Sequence, residues 1–261
     1  MEIPHVEIRV PTRGNRRLAS LLAAANADRR LHAWWYMQQV NADRRDMSDH
    51  SWVHIQIVVN IGLRLFRLLA SAGVEPAMVS EHGMKPRDAE VVIAAACLVH
   101  DTGMSIHRSD HEQYSLFLAA DRLPGLLEGI YEDPELTVVV SEALHAVIGH
   151  RRRGDPITVE AGIVRVADAL DMASGRSRIP FETRRPNIHS VSAAAIDGVT
   201  IEPGEEKAVR IEIEMNNSSG LFQIDELLAT KLRGSGIEEH VEVVAQIEAE
   251  HEKRLVPVFR I

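Results

Sequence analysis

The sequence has few of the features that would place it in several common protein classes. Its 261 residues include one cysteine, Cys97, so no disulfide can form within the chain, which suits a reducing cytoplasm. The longest unbroken apolar run, Val91 to Val99, is shorter than the roughly 18 residues of a membrane-spanning helix. The residues from Met1 to His5 lack the pattern of a secretory signal. We therefore expect a cytoplasmic protein with no membrane partner.

Positive charge is also scarce. Lys and Arg number 29 against 38 Asp and Glu, which gives a formal net charge of −9. Residues 186–261 carry −7 of this charge and residues 1–185 carry −2. Because sequence-independent nucleic-acid binding depends on neutralising phosphates, a nucleic-acid partner is disfavoured. The nearly neutral N-terminal part could still hold a local cationic pocket for a phosphate.

The N-terminal two thirds of the chain is predicted to be helical. Apolar residues recur at steps of three and four from Arg16 to Val40 and from Ser51 to Ala72. Pro86 opens a segment that stays apolar on nearly all faces to Val99, which is typical of the central helix of a bundle. Capping residues predict three further helices, from Ser109 or Asp110 to Ala120, from Asp133 to His150 and from Thr158 to Met172.

The pattern changes to alternation in the C-terminal third. Apolar and polar residues alternate in Gly198–Glu202 and Val209–Met215, which predicts half-buried strands. A helix from Gln223 to Leu232 is predicted next, followed by strands at Val241–Glu248 and Arg254–Ile261. The first of these last two segments also fits a helix.

The predicted fold class is therefore mainly α, with two domains. Residues 1–180 would form a helical bundle, and residues 187–261 a small acidic α+β domain of ββαββ order. The acidic domain supplies neither metal-ligand spacing nor a cluster of cations, so we expect a role in packing, oligomerisation or regulation. The edges of so small a sheet need covering, and a homodimer is the simplest way to cover them.

Histidines are concentrated in one stretch of the chain. Eight of the 13 lie within residues 50–150, although a single helical histidine is more often a hydrogen-bonded residue than a ligand. His100 and Asp101 differ, because they follow an apolar helix directly and burying them requires a partner. Asp168 lies in another apolar helix, and His54 in a third. Several helices could thus present ligands to one metal site.

These residues resemble a known ordered motif. His54, then His100-Asp101 within Cys-Leu-Val-His-Asp-Thr-Gly, then Asp168 within Val-Arg-Val-Ala-Asp-Ala-Leu-Asp, is similar to the H…HD…D pattern of the HD-domain metal-dependent phosphohydrolase superfamily. The resemblance covers about residues 50–176. The C-terminal part is similar to an uncharacterised archaeal and bacterial branch. The resemblance implies a helical bundle that binds a divalent metal and hydrolyses a small-molecule phosphate ester or anhydride.

Some branches of that superfamily bind a second metal through two additional histidines. His111 and His150 stand at similar positions in this sequence. The implied metal ligands are then His54, His100, Asp101, His111, His150 and Asp168. His107 and His145 could replace their neighbours or contact the substrate, whereas His50 is expected to face solvent. The mixture of imidazole and carboxylate suits one or two ions of Mn, Fe, Co, Ni or Zn per chain.

The sequence departs from the HDxGK form of the motif, because Met104 stands where that form has a lysine. Cations for the substrate phosphate would have to come from elsewhere, and Arg151 and Arg176 are the candidates, with the arginines beside them. No GYP-type tripeptide follows His150, which weakens the case for cyclic di-GMP as substrate.

The resemblance implies hydrolysis by a metal-activated water. Asp101 would bridge two metals and position the water, with His100 beside it as its catalytic partner. The expected substrate is a nucleotide or a cyclic nucleotide, cleaved at a phosphomonoester or a phosphodiester bond. Two alternatives stay open: an HD-type di-iron oxygenase, and a noncatalytic nucleotide sensor.

Overall fold

The computed structural model describes residue 3 and residues 6–173 and 188–247. The predicted strand Arg254–Ile261 and the candidate Arg176 lie outside this part of the chain. The N-terminal helices are α1 (Arg16–Ala27), α2 (Arg29–Asp43), α3 (Trp52–Ser71), α4 (Ala77–Ser80), α5 (Pro86–Val99), α6 (His111–Leu126), α7 (Glu135–Gly149) and α8 (Val159–Leu170).

The first predicted helix is two helices in the structure, so a single helix from Arg16 to Val40 was wrong. The break is at Asp28, whose backbone is extended. Its carboxylate accepts hydrogen bonds from the backbone N–H groups of Arg30 and Leu31. Asp28 therefore caps the N-terminus of α2, and this competes with continuing α1 in helical conformation.

Helix α5 forms the centre of the bundle, as its composition predicted. All of its residues from Asp88 to Val99 are buried. It packs against α1, α3, α7 and α8. Its C-terminal end, where His100 follows, therefore lies deep inside the protein.

The helices that follow α5 begin near the predicted residues. Helix α6 starts at His111, after Asp110 in a left-handed conformation (φ 60°), and continues past the predicted end at Ala120. Helix α8 starts where Thr158 accepts a hydrogen bond from the backbone N–H of Ala161. It ends at Leu170, two residues before the predicted end.

Within the described ranges, α3 alone is long and apolar enough to cross a membrane by length and composition. Half of its apolar window is buried inside the protein, where α3 packs against α5 and α8. The core helix of a soluble fold has the same composition, so packing in the bundle accounts for its apolar character.

The C-terminal part holds a small sheet after helix α9 (Ile188–Ala194). Strand β1 (Ile196–Pro203) pairs antiparallel with β2 (Val209–Met215), and β2 pairs in parallel with β3 (Val241–Ile247). The α+β character of this part is confirmed, and β3 is a strand rather than the alternative helix. The sheet lies against α3, where Arg64 donates to the carbonyl oxygen of Ile201 at 3.1 Å.

The connection from β2 to β3 carries the predicted helix in an irregular form. It consists of α10 (Leu221–Gln223), a π-helical stretch (Ile224–Ala229) and α11 (Thr230–Leu232), which we call the 221–232 segment. The loop after it runs against α8, where a Cβ added to Gly162 would lie 1.9 Å from the carbonyl oxygen of Ser235. Gly162 therefore allows the C-terminal part to approach the bundle closely.

Candidate metal centre

The six predicted ligands come together at one point inside the bundle. His54 comes from α3, Asp168 from α8 and His111 from the first turn of α6, while the other three follow the C-terminal ends of α5 and α7. The four histidines and Asp101 are at most 6% exposed. The predicted ligands that the structure brings together are His54, His100, Asp101, His111, His150 and Asp168.

The donors fall into two groups. In the first group, His54 Nε2 lies 3.4 Å and His100 Nε2 lies 3.7 Å from Asp168 Oδ1. Asp101 Oδ2 lies 3.5 Å from His54 Nε2 and 3.7 Å from His100 Nε2. Four donors from three helices thus surround one small volume.

The second group is centred on the other oxygen of Asp101. His111 Nε2 lies 3.1 Å from Asp101 Oδ1, and His150 Nε2 lies 3.8 Å from the same oxygen. Asp101 therefore presents one carboxylate oxygen to each group.

Hydrogen bonds on the far side of the rings set the tautomer of three of these histidines. His54 Nδ1 lies 2.6 Å from Asp171 Oδ2. The Nδ1 atoms of His100 and His150 lie 2.8 Å and 2.5 Å from the carbonyl oxygens of Cys97 and Val147. Because carbonyl and carboxylate oxygens accept, Nδ1 donates in each neutral ring, and Nε2 presents its lone pair to the site.

This arrangement fits a metal ion. His54 Nε2 and His100 Nε2 lie 3.2 Å apart, and two lone pairs at that distance repel unless a cation lies between them. Two ligands of one transition-metal ion, each about 2.1 Å from it, lie roughly 3.0–3.4 Å from each other. The donor spacings of both groups are close to that range, so the residues present suit metals.

The charges of the site also suit metal binding. Burial would raise the pKa of Asp101, but the neighbouring His100 and hydrogen bonds from His111 and His50 hold that pKa well below its usual range. Burial would also raise the pKa of Asp168, but the positive charge of Lys231 outweighs burial and lowers that pKa. Desolvation lowers the pKa of His150 well below that of free imidazole. The two carboxylates are thus ionised and His150 is neutral, as metal ligands must be.

His111 differs from His150. Burial would lower its pKa, but the hydrogen bond with Asp101 and the negative charge of that residue raise it overall. Without a metal, a proton therefore tends to be held between His111 and Asp101.

A cavity of about 380 Å³ opens from the ligands toward the surface. Apolar side chains on its wall include Met47, Met172 and Leu227. Among the described residues, its arginines and lysines are Arg108, Arg152 and Lys231, of which Arg152 pairs with Glu226 at 2.7 Å. The cavity lies between the bundle and the 221–232 segment, so both parts of the chain form its wall.

Sequence reasoning missed several residues around the ligands. The expectation that His50 faces solvent was wrong, because it is 8% exposed and its Nδ1 lies 2.9 Å from Asp101 Oδ2. Its position one turn before His54 could have shown this. Asp171 could have been found in the same way, three residues after Asp168 on a neighbouring turn.

Lys231 was the largest omission. Its ammonium group pairs with Asp168 Oδ2, so the C-terminal part does place a cation beside the ligands, contrary to the expectation from its net charge. No local pattern marks this lysine, because only the folding of the 221–232 segment onto α8 brings it to the site.

Of the four predicted substrate contacts, the three that lie in the described part of the chain do not line the cavity. His107 lies 2.8 Å from Arg45, and His145 Nε2 accepts a hydrogen bond from the backbone N–H of Ile157. Arg151 is exposed and points its carbonyl oxygen at Arg165, whereas the next residue, Arg152, lines the cavity. These three predictions therefore have no support from the positions of the side chains.

Comparison with known proteins agrees with this architecture. The sequence model of the family described as HD domain matches residues 48–173, which contain all six ligands. The uncharacterized protein MJ1020 of Methanocaldococcus jannaschii is 38% identical over 216 residues, which is 83% of this chain and 82% of the relative. The similarity to that relative thus extends beyond the matched domain.

Proposed function

The chain belongs to the HD-domain family, and we propose that it is a metal-dependent phosphohydrolase. Its proposed substrate is a nucleotide or a cyclic nucleotide, in which it cleaves a phosphomonoester or a phosphodiester bond. The observation that carries this proposal is Asp101, whose two oxygens face two separate groups of donors. Family membership and the buried cluster of histidines and aspartates indicate a metal-dependent hydrolase. We further propose that the substrate carries a phosphate and that two ions take part in the reaction.

Divalent ions held by the two groups would supply an activated water and would neutralise charge on the phosphoryl oxygens. His54, His100 and Asp168 would hold one ion together with Asp101 Oδ2, and His111 and His150 the other together with Asp101 Oδ1. Asp101 would fix the spacing of the two groups and so position the attacking water. Asp171 would orient His54 through its Nδ1 and strengthen that ring as a ligand.

The cavity supports a substrate of nucleotide size. Its volume of about 380 Å³ is in the range of small-molecule sites, which are roughly 300–1,000 Å³. Met47, Met172 and Leu227 offer an apolar wall for the organic part of the substrate. Arg108 and Arg152 place positive charge at the same cavity, which suits phosphate oxygens.

We also place the protein in the cytoplasm, where such substrates occur. The single cysteine, Cys97, is a free buried thiol, and a chain without disulfides is typical of a reducing compartment.

The test is a metal analysis followed by a phosphate-release screen. Purified protein is expected to carry about one to two transition-metal ions per chain and to release phosphate or a phosphomonoester from one of a set of nucleotides and cyclic dinucleotides under anaerobic conditions with Mn or Co. A folded protein with no metal and no loss of activity in chelator would contradict the proposal. Turnover that requires iron and consumes O₂ would replace it with the oxygenase alternative.

A further inference from the structure

Lys231 lies at the junction of the two parts of the chain. Its side chain is 12% exposed, and its ammonium group pairs with Asp168 Oδ2. Its backbone is held in place by Arg165 of α8, whose Nε donates to the Lys231 carbonyl oxygen at 2.8 Å. The position of this lysine is therefore fixed by the fold rather than by a flexible surface loop.

The three cations of the cavity differ in their distance from the ligands. The side chain of Arg152 is 64% exposed and paired with Glu226. The Arg108 guanidinium lies at the second group, with Nη1 2.9 Å from His111 Nδ1. Lys231 alone among these three contacts a carboxylate of the ligand set.

Asp168 divides its two oxygens between the ligand cluster and the lysine. Oδ1 faces the Nε2 atoms of His54 and His100, while Oδ2 faces Lys231. An ammonium group this far buried needs an anionic partner. When a divalent ion shares the charge of Asp168, the hold of that carboxylate on the ammonium weakens, and a phosphate oxygen at the cavity becomes its best alternative partner.

We propose that Lys231 binds a phosphate oxygen of the substrate. We also propose that the ion pair of Lys231 with Asp168 competes with metal binding to Asp168. This inference rests on the proposed function and adds to it the residue that recognises the phosphate. It also gives the C-terminal part a direct role in phosphate binding, through the Lys231 side chain of the 221–232 segment.

The two roles of Lys231 predict effects of opposite sign. Removing the ammonium group should weaken phosphate binding by about ten- to a hundredfold, the usual effect of losing one charge-assisted hydrogen bond. The same change should leave metal affinity equal or higher, because Asp168 loses a competing cation. If Lys231 only supported the structure, its replacement would instead lower both the phosphate affinity and the metal affinity.

The experiment is calorimetry on the full chain, first with Mn and then with inorganic phosphate added to the Mn-loaded protein. The variants are K231M, the conservative K231R, and R233M, an exposed position two residues away that does not line the cavity. We expect K231M to bind Mn at least as well as wild type and phosphate at least about tenfold more weakly. K231R should retain phosphate binding to within about tenfold, and R233M should match wild type.

Phosphate binding by K231M equal to that of wild type would overturn the inference and leave the proposed function standing. Loss of both Mn and phosphate binding in K231M would also overturn it, by making Lys231 a support for the site. If K231M does not fold, weak phosphate binding by a folded, Mn-loaded K231R would overturn it. Wild-type protein that binds no Mn would overturn the proposed function itself, and the inference with it.

Discussion

The two groups of donors share Asp101 but are built differently. The first takes His54 from the first turn of α3 and Asp168 from the last turn of α8, adds His100 and Asp101, and fixes His54 through Asp171. The second takes His111 from the start of α6 and His150 from the end of α7. Metal affinity rises with the number and charge of the ligands, and the first group has two carboxylates where the second has only that of Asp101. We therefore expect the first group to bind metal more tightly, and the second to be easier to empty.

Removing the shared ligand should have the largest effect. The D101A variant deletes one ligand from each group and is expected to lose both metals and to reduce phosphate release by orders of magnitude. Metal content is measured by elemental analysis and activity by phosphate release. D121N, which changes a surface carboxylate paired with Arg30, is the control and should behave as wild type. Full metal content in folded D101A would contradict the sharing of Asp101.

Substitution within one group should separate the two ions. H150A is expected to keep about one ion per chain at the first group and to lose most activity if both ions take part in the reaction. H145A, five residues earlier on the same helix and outside the cavity, serves as the matched control and should keep both ions. If H145A rather than H150A loses metal, the wrong histidine of α7 has been assigned.

The support of the second group can be tested without touching a ligand. A Cβ added to Gly103 would lie 2.0 Å from the backbone oxygen of His111 and 2.6 Å from the backbone nitrogen of Ser115. G103A must therefore displace the start of α6, at a cost in folding stability of about 1–3 kcal/mol. It should weaken the second ion more than the first, as measured by metal titration and urea unfolding. In G125A the new Cβ would meet only the flexible Arg122 side chain, at 3.4 Å, so this control should lose neither ion.

The smallest expected effect is a difference in pH dependence. The pKa of His111 is raised in the metal-free protein, so its proton stays bound to a higher pH than on an ordinary histidine. A metal must displace that proton, and affinity therefore falls as pH drops through this raised pKa. The pKa of His150 is lowered, so His150 adds no such competition near neutral pH. Mn titrations from pH 8 down to pH 6 should show the second group losing affinity as the pH falls, and an affinity of the second group that stays constant over this range would contradict the role given to His111.

The sequence predicts much of this site, for a physical reason. His100 and Asp101 directly follow an apolar helix, and Asp168 interrupts another, so their burial without a partner would be costly. The break at Asp28 and the placement of Lys231 were not predicted. The first depends on a local choice between continuing a helix and capping a new one. The second depends on how the 221–232 segment packs on α8, which no periodicity along the chain encodes.

The most direct test of the shared-ligand account is a crystal structure of the Mn-loaded protein, with the ions located by anomalous scattering. The account predicts two peaks, one among His54, His100 and Asp168 and one between His111 and His150, with an oxygen of Asp101 bound to each. A single peak, or two peaks of which either lacks Asp101 as a ligand, would contradict it.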